Sequence, residues 1–187
     1  EDLAGKIAGV IDGGSTELGL ESTVVDCTGP LPMILRPGSI TLEMLEEVVG
    51  LVEVDQALMD EKEKPRAPGM KYAHYAPRAK LVILEDFSDV AEMLQYARGS
   101  QKKISFISLD EIIDISIPKN VARLQRGTLR DIAPLVADFY GLLREMDRQV
   151  MDEIYILAVP EVGLGVALMN RMKKAASHRY WKAEGRG

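Results

Sequence analysis

The chain has 187 residues, of which 47% are hydrophobic and 28% are charged, and its net charge at pH 7 is −6. This composition is typical of one globular domain or two small ones, and it disfavours a general nucleic-acid binder, whose phosphate contacts need a basic surface. No run approaches the roughly 20 apolar residues of a membrane-spanning helix, and no signal peptide is visible. The one cysteine, Cys27, allows no internal disulfide and fits a reducing cytoplasm.

The first 54 residues contain short apolar runs that end at glycine or proline turns. The pattern predicts strands over residues 6–12, 22–27 and 32–36, with one more short strand over 51–54. Thr41 is placed to cap a helix whose apolar residues follow at helical spacing and which ends at Gly50. Because this unit has little helix to cover its strands, we expect exposed strand edges and self-association through residues 1–54.

From residue 79 onwards, strand-like runs alternate with amphipathic helices. Strands are predicted over residues 80–84, 103–109, 121–125 and 153–159, whereas residues 112–117 are ambiguous. Helices are predicted to begin at the caps Ser88 and Thr128, with Pro134 kinking the second or delaying its start, and a last helix covers residues 166–176. This alternation predicts an α/β fold, a sandwich around a parallel sheet.

Residues 68–77 form a connector that is rich in aromatic and hydrogen-bonding side chains. Its prolines and glycine disfavour a helix, and a charged run at residues 60–65 precedes it. Tyr72 and Tyr75 have rings that exclude water and hydroxyls that bind polar atoms, so the connector is suited to cover a ligand. The alternative is that both tyrosines only fix the connector to a domain surface.

Ser22 and Arg36 are the candidate binding residues of the first unit. Ser22 stands where a glycine-flanked loop enters a strand, and Arg36 stands where another strand leaves for a Pro-Gly turn. A hydroxyl and backbone amides at a strand end suit a small carboxylate or an amino acid, and the planar guanidinium suits a phosphate. In the alternative interpretation, Ser22 bonds its own loop and Arg36 makes a surface ion pair.

Three further features have simple structural interpretations. The Gly163-x-Gly165 turn opens a helix after a strand, but Leu168 stands at the third position of a dinucleotide fingerprint, so we expect a close helix–sheet turn. The alternative is that the free N-terminus of this helix binds an anion. Cys27, His74 and His178 are too scattered to predict a metal site, and Cys27 is expected in the core.

Several motifs, in order and at their spacing, closely resemble the two-domain threonylcarbamoyl-AMP synthases of the YrdC/Sua family. They are Gly-Leu-Glu-Ser-Thr-Val-Val-Asp at residues 19–26, Ile-Leu-Arg-Pro-Gly at 34–38, and Pro-Gly-Met-Lys-Tyr-Ala-His-Tyr-Ala-Pro at 68–77. A fourth, Gly-x-Gly-x-Ala-x-x-Asn-Arg-x-x-Lys-Ala-Ala at residues 163–176, resembles the end of the family's accessory domain.

The resemblance implies an enzyme that joins L-threonine, bicarbonate and ATP into threonylcarbamoyl-AMP and releases pyrophosphate, with Mg²⁺ shielding the charge. The product passes to partner proteins that modify tRNA. Carried over by motif, Ser22 resembles the threonine-binding serine, Arg36 an ATP-binding arginine and Tyr75 the linker tyrosine that contacts the nucleotide. The resemblance identifies no group that does the chemistry.

The resemblance also implies the domain organisation. Residues 1–54 correspond to the C-terminal part of a YrdC-like catalytic domain with a twisted sheet, 55–78 to the linker, and 79–187 to a Rossmann-like accessory domain. The family's N-terminal Lys-x-Arg, Pro-Thr-Glu-Thr-type and Ser-Ala-Asn segments are not found, so we expect a chain that is inactive alone. The alternative function is a non-catalytic module that mediates assembly or regulation.

Overall fold

The computed structural model describes residues 5–11, 13–14, 16, 18–58, 66–67, 76–111 and 116–182. The first sheet has the order β1-β2-β3, with β1 at Val24–Asp26, β2 at Met33–Arg36 and β3 at Glu53–Val54. β1 and β2 are antiparallel with an irregularity between Val24 and Val25, and β3 is parallel to β2. The sequence therefore predicted these strands correctly, with longer bounds than the structure has.

The helix of the first unit, α1 (Leu42–Val49), begins and ends where the sequence predicts. The hydroxyl oxygen of Thr41 accepts a hydrogen bond from the Met44 amide at 3.4 Å, and Gly50 ends the helix with φ of 80°. A side-chain acceptor satisfies an amide of the first turn that has no partner within the helix, and glycine adopts positive φ without strain. The local chemistry therefore sets both ends of α1.

The second sheet contains β4 (Lys80–Leu84), β5 (Ile104–Ser108), β6 (Val121–Gln125) and β7 (Glu153–Leu157). Its order is β4-β7-β5-β6, and all neighbouring pairs are parallel. β7 lies inside the sheet between β4 and β5, and all of its residues are buried. A strand covered on both faces needs a continuous apolar run, which is why residues 153–159 predict a strand so clearly.

Helices cover both faces of this sheet, as the predicted α/β sandwich requires. Helix α2 (Phe87–Gly99) packs on one face with Trp181, and α3 (Ala133–Arg148) and α4 (Leu164–Ala175) pack on the other. Side chains of β4 alternate between the two cores, Leu81 and Ile83 towards α3 and α4, Val82 and Leu84 towards α2. In the part of the chain that the structure describes, no helix is long and apolar enough to cross a membrane.

The C-terminal segment covers the edge of the second sheet at β4. The Ile83 amide donates to the Arg179 carbonyl at 2.9 Å, and the Trp181 amide donates to the Ile83 carbonyl at 3.0 Å. Pairing of this kind satisfies backbone groups that an edge strand would otherwise expose. The indole of Trp181 is 1% exposed, and its Nε1 donates to Glu92 at 2.8 Å.

Three sequence predictions about local structure are wrong. Residues 6–11 form a turn and a bend followed by irregular chain, without strand pairing to any described residue, and Ile7, Val10 and Ile11 are exposed. The cap of α2 is Asp86 rather than Ser88, because its carboxylate accepts from the amides of both Ser88 and Asp89.

The third error concerns the start of α3. Thr128 does not cap this helix, because its hydroxyl accepts from the Asp131 amide in a separate turn and the helix begins after Ile132. Pro134 lies in the first turn of α3, where a proline costs no helical hydrogen bond. The sequence prediction that Pro134 could delay the start of the helix is therefore confirmed. The ambiguous residues 112–115 lie outside the described residues.

Candidate functional site

Ser22 and Arg36 are in direct contact. Arg36 leaves the end of β2, and its Nε donates to the Ser22 carbonyl at 3.0 Å while Nη2 donates to the Ser22 hydroxyl at 3.3 Å. The antiparallel pairing of β1 and β2 places Val24 opposite Arg36 and so brings residues 14 positions apart together. Ser22 is exposed, so its hydroxyl and the arginine fork are accessible to a small polar ligand.

The Pro-Gly turn after β2 packs against the backbone around Ser22 and fixes its position. A Cβ on Gly38 would lie 2.3 Å from the Thr23 amide nitrogen and 2.5 Å from the Glu21 carbonyl oxygen, so only glycine allows this approach. The Thr23 hydroxyl donates to the Ile40 carbonyl at 2.7 Å and accepts from the Ile40 amide at 3.0 Å. The loop after β2 therefore fixes the segment that carries Ser22.

Glu21 connects the same segment to helices α3 and α4. Arg171 Nε donates to its carboxylate at 2.7 Å, and the Tyr140 hydroxyl donates at 3.3 Å. Burial raises the pKa of Glu21, but the hydrogen bond and charge of Arg171, with the Tyr140 hydroxyl, outweigh this effect and leave the pKa below its usual value. Glu21 is therefore held as a carboxylate beside Ser22.

Lys174 adds a further cation next to this ion pair. Burial, together with the charges of Arg171 and Arg36, lowers the pKa of Lys174 to about 8, although the charge of Glu21 acts in the opposite direction. Because Arg171 and Lys174 are three residues apart on α4, they share one face of that helix. The site thus combines three basic side chains and one carboxylate around the exposed Ser22.

A cavity of about 270 Å³ lies between the first unit and the start of α4. Ile34, Leu42 and Val166 are among its apolar lining residues, and Glu43 and Lys173 are among the charged ones. The Glu43 carboxylate accepts from the Gly163 amide at 3.3 Å, so a protein side chain already occupies the start of α4. The cavity is distinct from the contact between Ser22 and Arg36, although Gly38 borders both.

The Gly163-x-Gly165 turn has the structural role that its incomplete fingerprint predicts. Gly163 has φ of 53°, and a Cβ on Gly165 would lie 1.9 Å from the Pro160 carbonyl oxygen. Both glycines are needed for the close turn that leads from β7 into α4.

Other sequence-predicted residues do not join the site. Tyr75, Tyr72 and His74 lie outside the described residues, so the proposed role of the connector stays a prediction. Cys27 is exposed just after β1, and its assignment to the core is wrong because β1 ends at Asp26 and the chain turns outward. No group of three or more histidine, cysteine or acidic side chains suited to a metal occurs among the residues that the structure describes.

Sequence reasoning missed the contribution of Glu21, Tyr140, Arg171 and Lys174. Glu21 stands beside Ser22 in the first motif, and Arg171 and Lys174 belong to the motif at residues 163–176. The motifs therefore include these three residues, but they do not reveal that Glu21 and Arg171 are in contact. For Tyr140 the sequence gives no signal, because it is one residue in an ordinary amphipathic helix.

Comparison with known proteins identifies the family. The family model described as "Threonylcarbamoyl-AMP synthase, C-terminal domain" matches residues 40–177. The chain is 40% identical to the threonylcarbamoyl-AMP synthase of Bacillus subtilis over 182 residues, 95% of this chain and 51% of that protein. The corresponding enzyme of Pyrococcus abyssi is 36% identical over 193 residues, which cover 97% of this chain and 53% of the relative.

A solved structure has a similar fold. The crystal structure of P. abyssi Sua5 complexed with L-threonine matches with a TM-score of 0.80 at 35% identity, over 94% of this chain and 51% of that one. The chain thus spans about half the length of the relatives it matches. The resemblance found in the motifs is confirmed, and the chain belongs to the threonylcarbamoyl-AMP synthase family, whose C-terminal domain it contains.

Proposed function

We propose that this chain is part of an L-threonylcarbamoyladenylate synthase, which uses L-threonine, bicarbonate and ATP and releases pyrophosphate. The observation that carries the proposal is the contact between the Ser22 hydroxyl and Arg36 at the edge of the first sheet. The proposed reaction requires a hydroxyl for the amino acid close to a fixed cation for the phosphates, and this contact supports that assignment. Family membership and the threonine complex of the P. abyssi protein support it.

In the proposed reaction, bicarbonate supplies CO2 by losing hydroxide, and the threonine amine adds to the CO2 carbon. The amine proton combines with that hydroxide to form water, and a carbamate results. A carbamate oxygen then attacks the α-phosphorus of ATP, and the bond from this phosphorus to the bridging oxygen breaks as pyrophosphate leaves. Ser22 binds threonine, Arg36 binds the phosphates and Tyr75 covers the nucleotide. Most of the rate advantage in such a transfer comes from positioning and fixed charge.

Mg²⁺ belongs to the proposal as the ion that accompanies ATP. The carboxylate of Glu21, next to Ser22 in the chain, already accepts from Arg171 and Tyr140. An ion bound mainly through substrate phosphates needs few protein ligands. We therefore assign no residue to Mg²⁺ and derive no step through it.

We also propose that the reaction takes place in the cytoplasm and that the product passes to proteins that modify tRNA. The free, exposed Cys27 supports a reducing compartment, because no disulfide protects it. The boundaries at residues 54 and 78 remain part of the proposal, as does self-association of the first unit. The exposed side chains of Ile7, Val10 and Ile11 support self-association.

The test is pyrophosphate release by a polypeptide that joins this chain to the part of the B. subtilis relative that it does not cover. Release that depends on both L-threonine and bicarbonate is expected. Ser22→Ala should raise the KM for threonine, and Tyr75→Ala should raise the KM for ATP. Arg36→Ala should raise both, because Arg36 also holds the Ser22 carbonyl and hydroxyl.

The matched control is Arg148→Ala, which removes an exposed arginine of α3 that pairs with Glu145 on the same helix. It should leave both KM values unchanged. Release without threonine dependence, or full activity of the Arg36→Ala and Tyr75→Ala variants, would contradict the assignment. A joined polypeptide that folds and binds neither substrate would favour the alternative of a non-catalytic module.

A further inference from the structure

The Glu21 carboxylate is the point where two helices of the second sheet's sandwich contact the segment that carries Ser22. Arg171 of α4 and Tyr140 of α3 both donate to it, from sequence distances of 150 and 119 residues. The Arg171 side chain is 4% exposed and that of Glu21 is 27% exposed. A guanidinium this deeply buried needs a carboxylate partner, because removing one member of a buried pair is strongly destabilising. Arg171 and Tyr140, which belong to the helices, therefore fix the position of the Glu21 carboxylate.

The residues just before Glu21 pack on the same helices. Leu18 and Leu20 contact the core that α3 and α4 share with the sheet. A Cβ on Gly19 would lie 2.1 Å from the Ala137 carbonyl oxygen of α3, so the backbone of the segment lies directly against that helix. Residues 18–21 therefore belong to the packing of α3 and α4, although they precede them by more than a hundred positions.

The residues just after Glu21 contact the end of β2 and the loop that follows it. Ser22 accepts two hydrogen bonds from Arg36, and the Thr23 hydroxyl bonds the backbone of Ile40. The change from one set of contacts to the other occurs at one peptide bond, between Glu21 and Ser22. A displacement of Glu21 would therefore move the Ser22 hydroxyl and, through it, the Arg36 fork.

We propose that Arg171 and Tyr140 are positioning residues for the threonine site, which hold Glu21 so that Ser22 and Arg36 meet the substrate in a fixed arrangement. The inference rests on the proposed function for the identity of the ligand. It gives Arg171, within the motif at residues 163–176, a role, because this side chain contacts the segment that carries Ser22 through Glu21. The helices α3 and α4 then set the affinity for L-threonine.

The first experiment measures hydrogen exchange of peptides that cover residues 19–26 in this chain. Arg171→Met removes the charge at similar volume, and Tyr140→Phe removes one hydroxyl as a milder change that keeps the ring packing. Exchange in this segment should become about tenfold faster in Arg171→Met, as expected when a charge-assisted hydrogen bond is lost, and less so in Tyr140→Phe. Arg171→Lys should restore part of the protection, because it keeps the charge.

The control is Lys173→Met, which removes a neighbouring cation of α4 that pairs with Glu161 at 2.6 Å and does not contact Glu21. It should leave exchange in residues 19–26 unchanged. Exchange in the β4 and β7 peptides reports whether each variant still folds. If Arg171→Met alters the whole chain, Tyr140→Phe decides, and unchanged exchange of residues 19–26 in a folded Tyr140→Phe variant would overturn the proposal.

The second experiment uses the joined polypeptide and separates KM from kcat. Arg171→Met should raise the KM for threonine about tenfold and change kcat less than twofold, and Arg171→Lys should recover part of the affinity. An active variant whose KM for threonine equals that of the parent would refute the inference. If the parent polypeptide makes no product, the proposed function fails, whereas the exchange experiment still decides whether Arg171 orders the Ser22 segment.

Discussion

Replacing Lys174 by Met should stabilise the protein near neutral pH. Lys174 lies on α4 beside Arg171, and burial with the charges of Arg171 and Arg36 lowers its pKa to about 8, against 10.5 for an ordinary lysine. A protonated Lys174 is therefore unfavourable in the folded protein, although Glu21 attracts it. Methionine keeps most of the volume and the flexible shape of the side chain and removes the charge.

The size and sign of the effect follow from the difference in proton binding. Between about pH 8 and pH 10.5 the unfolded chain binds the Lys174 proton and the folded chain releases it, so this group makes stability rise with pH in that window. Below pH 8 the full difference acts against folding, about 3 kcal/mol at most and about 1 kcal/mol if solvent screens the charges. By pH 10 the gain from Lys174→Met should fall to about a quarter of its value at pH 7.

The assay is urea unfolding of both proteins at pH 7, 8.5 and 10, with the free energies compared at each pH so that other titrations largely cancel. Lys173→Met is the matched control, because Lys173 pairs with Glu161 at the surface and should contribute less than about 1 kcal/mol at every pH. A Lys174→Met variant that is less stable than the parent at pH 7, or a gain that stays constant up to pH 10, would refute the reasoning.

Three further predictions concern packing and folding. Gly19→Ala should lower the free energy of unfolding by about 2 kcal/mol, and with it the melting temperature, because its Cβ would lie 2.1 Å from a backbone oxygen of α3. The control Gly141→Ala, whose Cβ meets no described atom within 4 Å, should stabilise α3 slightly, and equal effects of the two variants would contradict this reasoning. Trp181→Ala should lower the free energy of unfolding in urea by about 3–5 kcal/mol, because the indole is buried against Tyr96 and Tyr155. A decrease below about 1 kcal/mol would show that the C-terminal segment does not stabilise the β4 edge. A polypeptide that begins at Ala79 should melt cooperatively but at a lower temperature than the whole chain, because Leu18 and Leu20 no longer cover the core of α3 and α4; a broad melt with strong dye binding would argue against independent folding.

Local chemistry in the sequence determined much of the second sheet and the helix α1 of the first unit. The continuous apolar run of β7 marks a strand buried on both faces, and Thr41 and Gly50 mark the ends of α1 through a side-chain acceptor and a positive φ. The cap of α2 was assigned wrongly because neighbouring side chains could accept the same amides, and that of α3 because its N-cap, Ile132, makes no side-chain hydrogen bond. The residue that caps α2 is Asp86, and the sequence pattern does not show that the helix begins directly after it.

An apolar run forms a β-strand only when a neighbouring strand pairs with it, and residues 6–11 show this limit of prediction from sequence. Their pattern matches that of β2, but β2 pairs with β1 and β3, whereas residues 6–11 pair with no strand in the described part of the chain. Cys27 shows the same limit for burial, since one position past the end of β1 the side chain is exposed.

The sequence by itself determined the family, the parallel α/β sandwich and the two residues, Ser22 and Arg36, that lie in contact at the end of the first sheet. Their contact follows from antiparallel pairing over a short loop, which turns and apolar runs encode locally. Only the tertiary structure decided that Glu21 meets Arg171 and Tyr140 and that β7 lies inside its sheet. Contacts across 150 and 119 residues depend on how whole layers pack, and no local pattern of charge or hydrophobicity specifies them.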